Sequence, residues 1–199
     1  MKKILLPLFM LLVSTLLIAV IPTEADAAIY DDTIRLHILA PSDSSEDQAL
    51  KLSIRDKLLE KYSESLMAAA DILCAKEKVL TSLAEIERDC NRWIAEAGYS
   101  YNATAQLCEE WYNTREYKDF SLPQGYYTSL KITIGEGNGA NWWCVMYPPM
   151  CLDIATATSS AEYSEEEYRL ISPSGYRIKF KTLELFSELT RHRRYKADK

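Results

Sequence analysis

Histidine is scarce in this chain. Only His37 and His192 occur in 199 residues, and they lie far apart. A zinc site needs three or four ligands at workable spacing. No Cys-x-x-Cys pair supplies them here, so neither a metal nor a cofactor is expected. The Gly-x-Ser-x-Gly elbow that presents a serine nucleophile is also missing. Basic charge is not in excess: 23 Lys and Arg against 29 Asp and Glu leave a net charge of −6. A nucleic-acid binder would carry a basic field, so nucleic acid is not an expected partner. No internal repeat and no low-complexity linker breaks the chain. After the N-terminal region no second long apolar run occurs, which leaves a soluble body.

What is present begins with an export signal. Lys2 and Lys3 form a positive start, and the 18 residues from Ile4 to Ile21 carry no charge. Pro22 ends the run, and Ala25-Asp26-Ala27 offers small residues where a signal peptidase tests for them. Residues 1–27 therefore read as a signal peptide cleaved before Ala28. The run is longer than a usual signal core and near the lower limit for a membrane span, so an uncleaved anchor is the rival reading. Residues 28–199 suffice for one exported domain with its own core.

Five cysteines occur, at 74, 90, 108, 144 and 151. In an exported protein disulfides persist, and the odd count leaves at least one thiol over. Cys144 and Cys151 are the best pair, because Pro148 and Pro149 between them favour a bend. Closing that loop would stabilise by about 2–2.5 kcal/mol on a chain-entropy basis. The alternative is that all five serve as small buried hydrophobes.

The stretch Thr33–Ala40 alternates as a strand, with Ile34, Leu36, Ile38 and Ala40 toward a core and Arg35 and His37 on the other face. Pro41 breaks it. Asp43 and Ser44 both suit a helix N-cap, with Glu46 and Asp47 three residues downstream of each. The helix that follows places Leu50, Ile54, Leu58, Tyr62 and Leu66 at steps of four. Asp47, Lys51 and Arg55 form a charged stripe opposite. A second helix is predicted from about Ala75 to Ala97, with Val79, Leu83, Ile86, Cys90, Trp93 and Ala97 as its apolar face and Gly98 at its end. The two helices should form a hairpin against a sheet.

Beyond Gly98 the period changes to two. Tyr99–Tyr117 reads as a long strand and Tyr127–Ile134 as another. Gly135–Gly139 reads as a glycine turn with positive φ, from which Trp142–Tyr147 pairs back as the second arm of a hairpin. An acidic, irregular stretch and an amphipathic helix near Phe180–Arg194 close the chain. The fold class is α+β: a mainly antiparallel sheet with helices on one face.

The chemistry tests point away from catalysis. Ser42, Ser44, His37 and Asp43 are the residue types of a hydrolase triad, but they sit too close in sequence to converge, and helix capping accounts for the serines and Asp43. His37 would be a partly exposed strand residue. A phosphate cradle at Gly135–Gly139 would need a following helix, and a strand follows instead. A carboxylate pair for glycoside cleavage stays open, because acids are plentiful and none is singled out. Trp142 and Trp143 must face opposite sides of one strand, so core and interaction hot spot are both open for them. The basic tail, Arg191 to Lys199, suits a helix end or contact with anionic lipid.

Three blocks, IRLHILAPSDSSEDQALKLSIRD, GEGNGANWWCVMYPPMC and KFKTLELF, resemble the stage II sporulation protein R family of endospore-forming bacteria. The resemblance covers nearly the whole mature chain. It puts Arg35, His37, Ser42, Asp43, Ser44, Asp47, Gln48, Lys51 and Arg55 on the first signature block. Gly135, Gly137, Asn141, Trp142, Trp143, Cys144, Pro148, Pro149 and Cys151 fall on the second. One departure stands out: the family usually has asparagine where this chain has Pro41.

That resemblance implies signalling rather than catalysis. Such proteins are exported from the forespore into the space between the two sporulation membranes. There they activate a membrane-embedded aspartic protease that processes the mother-cell pro-sigma factor. The expected partner is the extracytoplasmic part of that protease, with no small-molecule substrate. Membrane contact would come only through the basic tail or an uncleaved signal. The expected docking residues are Arg35, His37, Asp43, Asp47, Lys51, Arg55, Trp142 and Trp143. The competing expectation is an exported cell-wall hydrolase with an unidentified carboxylate pair.

Overall fold

The computed structural model describes residues 7, 9–15, 24–117, 120–148, 171 and 181–185. Cys151, the acidic stretch after it, most of the closing helix and the basic tail lie outside these residues. Residues 9–15 are helical, and helix α1 (Glu24–Asp31) runs through the expected cleavage point. Among the described residues no helix is long and apolar enough to cross a membrane.

Two compact units divide the chain. One comprises Tyr30–Trp111 and Tyr126–Ser164; the other comprises Met1–Ile29, Tyr112–Gly125 and Glu165–Lys199. The first holds the site. Its elements in order are β1 (Ile34–Leu39), α2 (Ser45–Met67), α3 (Ile72–Glu96), β2 (Ala103–Tyr112), β5 (Gly125–Ile134) and β6 (Asn141–Tyr147); the terminal residues Tyr112 of β2 and Gly125 of β5 belong to the second unit.

The helices start where their caps dictate. Ser44 Oγ accepts from Asp47 N at the start of α2, and Asp71 Oδ1 accepts from Cys74 N at the start of α3. Gly98, at φ +84°, ends α3. Leu50, Ile54, Leu58, Tyr62 and Leu66 of α2 are all buried, as their spacing requires. On α3, Val79, Ile86, Cys90 and Trp93 are buried, whereas Ala97 is exposed, because the helix stops at Glu96.

The sheet order is β2-β5-β1-β6. β1 runs parallel to β5, with His37 opposite Lys131, and antiparallel to β6, with His37 opposite Trp143. Asn102 O accepts from Gly135 N and Trp111 packs edge-on against Tyr126, the pairing of antiparallel neighbours. The sheet is therefore mixed, mostly antiparallel, with one parallel pair. This corrects the expected hairpin: β6 does not return along β5, because β1 lies between them. A central strand with Ile34, Leu36 and Ile38 fully buried gains a hydrogen-bonded neighbour on both sides there, which an edge position would deny it. The long strand expected from Tyr99 is shorter, Ala103–Tyr112.

One sheet face carries Ile34, Leu36, Ile38, Leu130, Ile132, Ile134, Cys144 and Met146 and packs with the apolar faces of α2 and α3 into a single core. The hairpin of helices is locked by polar groups as well. Tyr62 Oη donates to Asp89 Oδ2 at 2.6 Å and Lys61 Nζ to the same oxygen at 2.5 Å. Burial would raise the Asp89 carboxyl, but these bonds prevail and hold it below its ordinary value.

In the second unit, β3 (Arg115–Glu116) pairs antiparallel with β4 (Ser121–Leu122), and Tyr117 stacks on Phe120 at 4.4 Å. Residues 181–185 are helical; Leu183 is buried, and Glu184 accepts from Thr114 Oγ1, from Gln124 N at 3.3 Å and from Lys181 Nζ at 2.7 Å.

Candidate functional site: a clamped loop end and a polar sheet face

The break after β1 and the glycine loop before β6 meet at one end of the sheet. Ser42 Oγ donates to Asp47 Oδ2 at 2.6 Å, and Gln48 Nε2 donates to Ser42 O at 2.8 Å, so the first turn of α2 grips the break. From the other side Gly139 N donates to Ala40 O at 2.9 Å. Asp43 Oδ1 accepts from Ala140 N at 2.6 Å, and Lys51 Nζ donates to Ala140 O at 2.8 Å. Asp43 and Lys51 thus hold the N–H and the C=O of one residue, Ala140, at the end of the glycine loop. Asp43 does this instead of capping α2, a role Ser44 takes alone.

The approach is close enough to dictate sequence. A Cβ on Gly139 would fall 2.2 Å from Ser42 O, a collision with backbone that nothing nearby can relieve. Gly137 has φ +66°, as expected for a glycine turn. What the turn does differs from expectation: it carries the chain past the end of β1 rather than closing a hairpin.

The charged stripe expected on α2 is largely buried. Asp47 and Lys51 are each 4% exposed. Burial pushes the Lys51 ammonium below its ordinary value, with Asp43 acting against the shift and Arg55 adding to it. Lys51 bonds Gln48 Oε1 and the loop rather than Asp47. Its long apolar stem lets it lie under the loop while its head reaches a carbonyl.

The second cluster lies on the sheet face opposite the helices. Arg35 is fully buried; its Nε donates to Cys144 O at 3.2 Å, and its guanidinium lies 5.0 Å from the centre of the Tyr127 ring. His37 is 4% exposed, which corrects the expected partly exposed strand residue. Its ring stacks on Trp143 at 3.7 Å and 18°, and its Nδ1 lies 3.0 Å from Glu110 Oε2. The other Glu110 oxygen accepts from Lys131 Nζ at 2.9 Å. Burial would raise the Glu110 carboxyl, but the bonds from His37 and Lys131 outweigh it and hold it down to about 2. With Glu110 ionised, Nδ1 carries the proton it shares.

Trp142 and Trp143 do face opposite sides of β6. Trp142 packs against the helix-side core under the Arg55 guanidinium, 4.3 Å from the ring centre, and Trp143 covers His37. Both are partly exposed. Of the expected docking residues, Asp43 is exposed, Arg55, Trp142 and Trp143 are intermediate, and Arg35, His37, Asp47 and Lys51 are buried. Asp43, Asp47 and Lys51 come together at the clamp; Arg35, His37 and Trp143 share the polar face. Glu110 joins His37 to Lys131, and sequence reasoning passed over it. Its signal was weak: one acid at an alternating position of β2, whose partner is visible only once the strand order is known.

Cys74, Cys90 and Cys108 are free thiols. Burial pushes Cys90 up to about 12, so it is chemically quiet. Cys144 is 2% exposed, and its expected partner Cys151 lies outside the described residues. Among the described residues no cluster of His, Cys, Asp and Glu is arranged to hold a metal.

The fold and site define an α+β protein whose signature polar residues bind one another and hold loops, an arrangement suited to presenting a surface. The family model described as Stage II sporulation protein R (spore_II_R) matches residues 30–157, a stretch that contains both the clamp and the polar face. The chain belongs to the stage II sporulation protein R family. Stage II sporulation protein R of Bacillus subtilis (strain 168) is 33% identical over 138 residues, covering 69% of this chain and 62% of that relative. No solved structure matches this chain.

Proposed function

We propose that this protein is an exported signal of endospore formation that acts by binding. It is made with a cleaved signal peptide, reaches the space between forespore and mother cell, and carries a Cys144–Cys151 disulfide. There it activates a membrane-embedded aspartic protease that processes the mother-cell pro-sigma factor. Membership of the stage II sporulation protein R family carries this reading. The geometry supports a binding role, because the polar side chains of the site are turned onto one another and onto loop backbone.

The docking surface in this reading is the clamped loop end with the adjoining edge of β6. Asp43, Arg55, Trp142 and Trp143 offer exposed or half-exposed atoms to the protease. Arg35, His37, Asp47 and Lys51 act from beneath by fixing the loop and strand that carry those atoms. A ligand activates its target by preferring the active state, so rigid presentation of the contact atoms favours activation.

Co-expression of this chain, the protease and the pro-sigma factor in a non-sporulating host tests the proposal. Processing is expected only when this chain and the protease are both present. Processing without the protease, or cleavage of wall material by this chain alone, would replace the activator with an exported hydrolase.

A further inference from the structure

The loop held by the clamp contains Asn138 followed by Gly139, and this goes beyond the signalling role. An asparagine followed by glycine is the pair most prone to deamidation, because glycine has no side chain to hinder ring closure. The Gly139 nitrogen attacks the Asn138 side-chain carbonyl carbon, forming a C–N bond. The carboxamide nitrogen leaves as ammonia, taking the amide proton, and a five-membered succinimide remains. Water then opens either carbonyl, giving aspartate or isoaspartate.

Packing requires the glycine of this pair. No other residue fits at position 139, where a Cβ would meet Ser42 O at 2.2 Å. Asn138 itself is exposed to water. The other asparagines precede residues with side chains: Asn91 before Arg92, Asn102 before Ala103, Asn113 before Thr114 and Asn141 before Trp142.

Yet the attacking nitrogen is occupied. Gly139 N donates to Ala40 O at 2.9 Å, so its proton is not open to base and its lone pair cannot swing toward Cγ. The flanking backbone is held too, by Gly137 N to Ile134 O at 3.2 Å and by Ala140 N to Asp43 Oδ1 at 2.6 Å. We infer that Asn138 is a deamidation site that the clamp of Ala40, Asp43 and Lys51 holds closed. Reaction requires local opening of the loop, so its rate follows the opening equilibrium. The product adds a negative charge to the loop that also carries Glu136. Isoaspartate also lengthens the backbone by one carbon and cannot keep both the Gly139 and Ala140 hydrogen bonds.

The full chain and a synthetic peptide of residues 132–143 are incubated together in mildly alkaline buffer, and conversion at Asn138 is followed by peptide mass mapping. The folded chain should convert at least about tenfold more slowly than the peptide. Asp43→Ala removes a hydrogen bond to a charged acceptor and should speed conversion in the folded chain by on the order of tenfold. Lys51→Met, which keeps the stem but loses the bond to Ala140 O, should act in the same direction and replaces Asp43→Ala if that variant does not fold. Urea-unfolded wild-type chain should convert at the peptide's rate. Equal rates for folded chain and peptide, or a folded clamp variant no faster than wild type, would overturn the inference.

Discussion

The two faces of β1 are almost equally buried and are built by opposite means. Ile34, Leu36 and Ile38 on one face meet the apolar stripes of two helices. Arg35 and His37 on the other meet Tyr127, Trp143 and a carboxylate. Apolar burial is non-directional and tolerates many packings. A buried charge holds only if its partners stand at the right distance. The helix face therefore supplies most of the stability. The polar face supplies register: Trp143, His37 and Lys131 lie in one row across β6, β1 and β5, and Glu110 reaches that row from β2. A slip of one residue in any of these strands would separate the row.

The sharpest way to break the helix face is Leu36→Ala, which opens a cavity at the centre of the core. It should cost about 3–5 kcal/mol, read as a lower denaturant midpoint with unchanged slope, and the loss should not vary with pH. On the polar face, Glu110→Gln leaves Lys131 without its counter-charge and His37 without a charged hydrogen-bond partner, and should cost about 2 kcal/mol at neutral pH. Its signature is the pH profile. Glu110 is held down to about 2 in the folded protein, from an ordinary 4.5. A depressed carboxyl stabilises above the unfolded value and loses that contribution as pH falls from about 4.5 toward 2. Wild type should therefore lose stability across that window, and the Gln variant should lose less. Equal acid profiles for the two would show that the row does not carry the charge coupling.

Smaller effects separate the helix hairpin from the proposed docking edge. Tyr62→Phe removes the hydroxyl that bonds Asp89 inside the hairpin and should cost about 1–2 kcal/mol, by chemical denaturation. Arg55→Ala removes a cation–π contact with Trp142 and should cost only about 0.5–1 kcal/mol. In the co-expression assay the order should invert, with Arg55→Ala losing processing while Tyr62→Phe keeps it.

Much of this was legible from residue spacing. The alternation in β1 placed its core face correctly, and steps of four identified every buried apolar position named on α2. Consecutive tryptophans on one strand had to part company, and they did. The hairpin reading of the glycine turn failed because turn residues show that the chain can reverse, not which strand it meets. Asp47 and Lys51 looked like a solvated stripe because charge is a residue property, whereas their burial depends on a loop almost ninety positions later that offers Ala140 O to Lys51. Glu110 was passed over for the same reason, since its partners sit on two other strands.

By itself the sequence determined the first strand, the two long helices, their inward faces and the family, because periodicity and caps follow from backbone geometry within a few residues. Only the tertiary structure decided that β1 divides β5 from β6, and that the polar residues around Pro41 grip the glycine loop. Strand order is a choice among long-range pairings of similar local geometry. The fate of a charged side chain depends on which partner that choice brings within hydrogen-bonding distance.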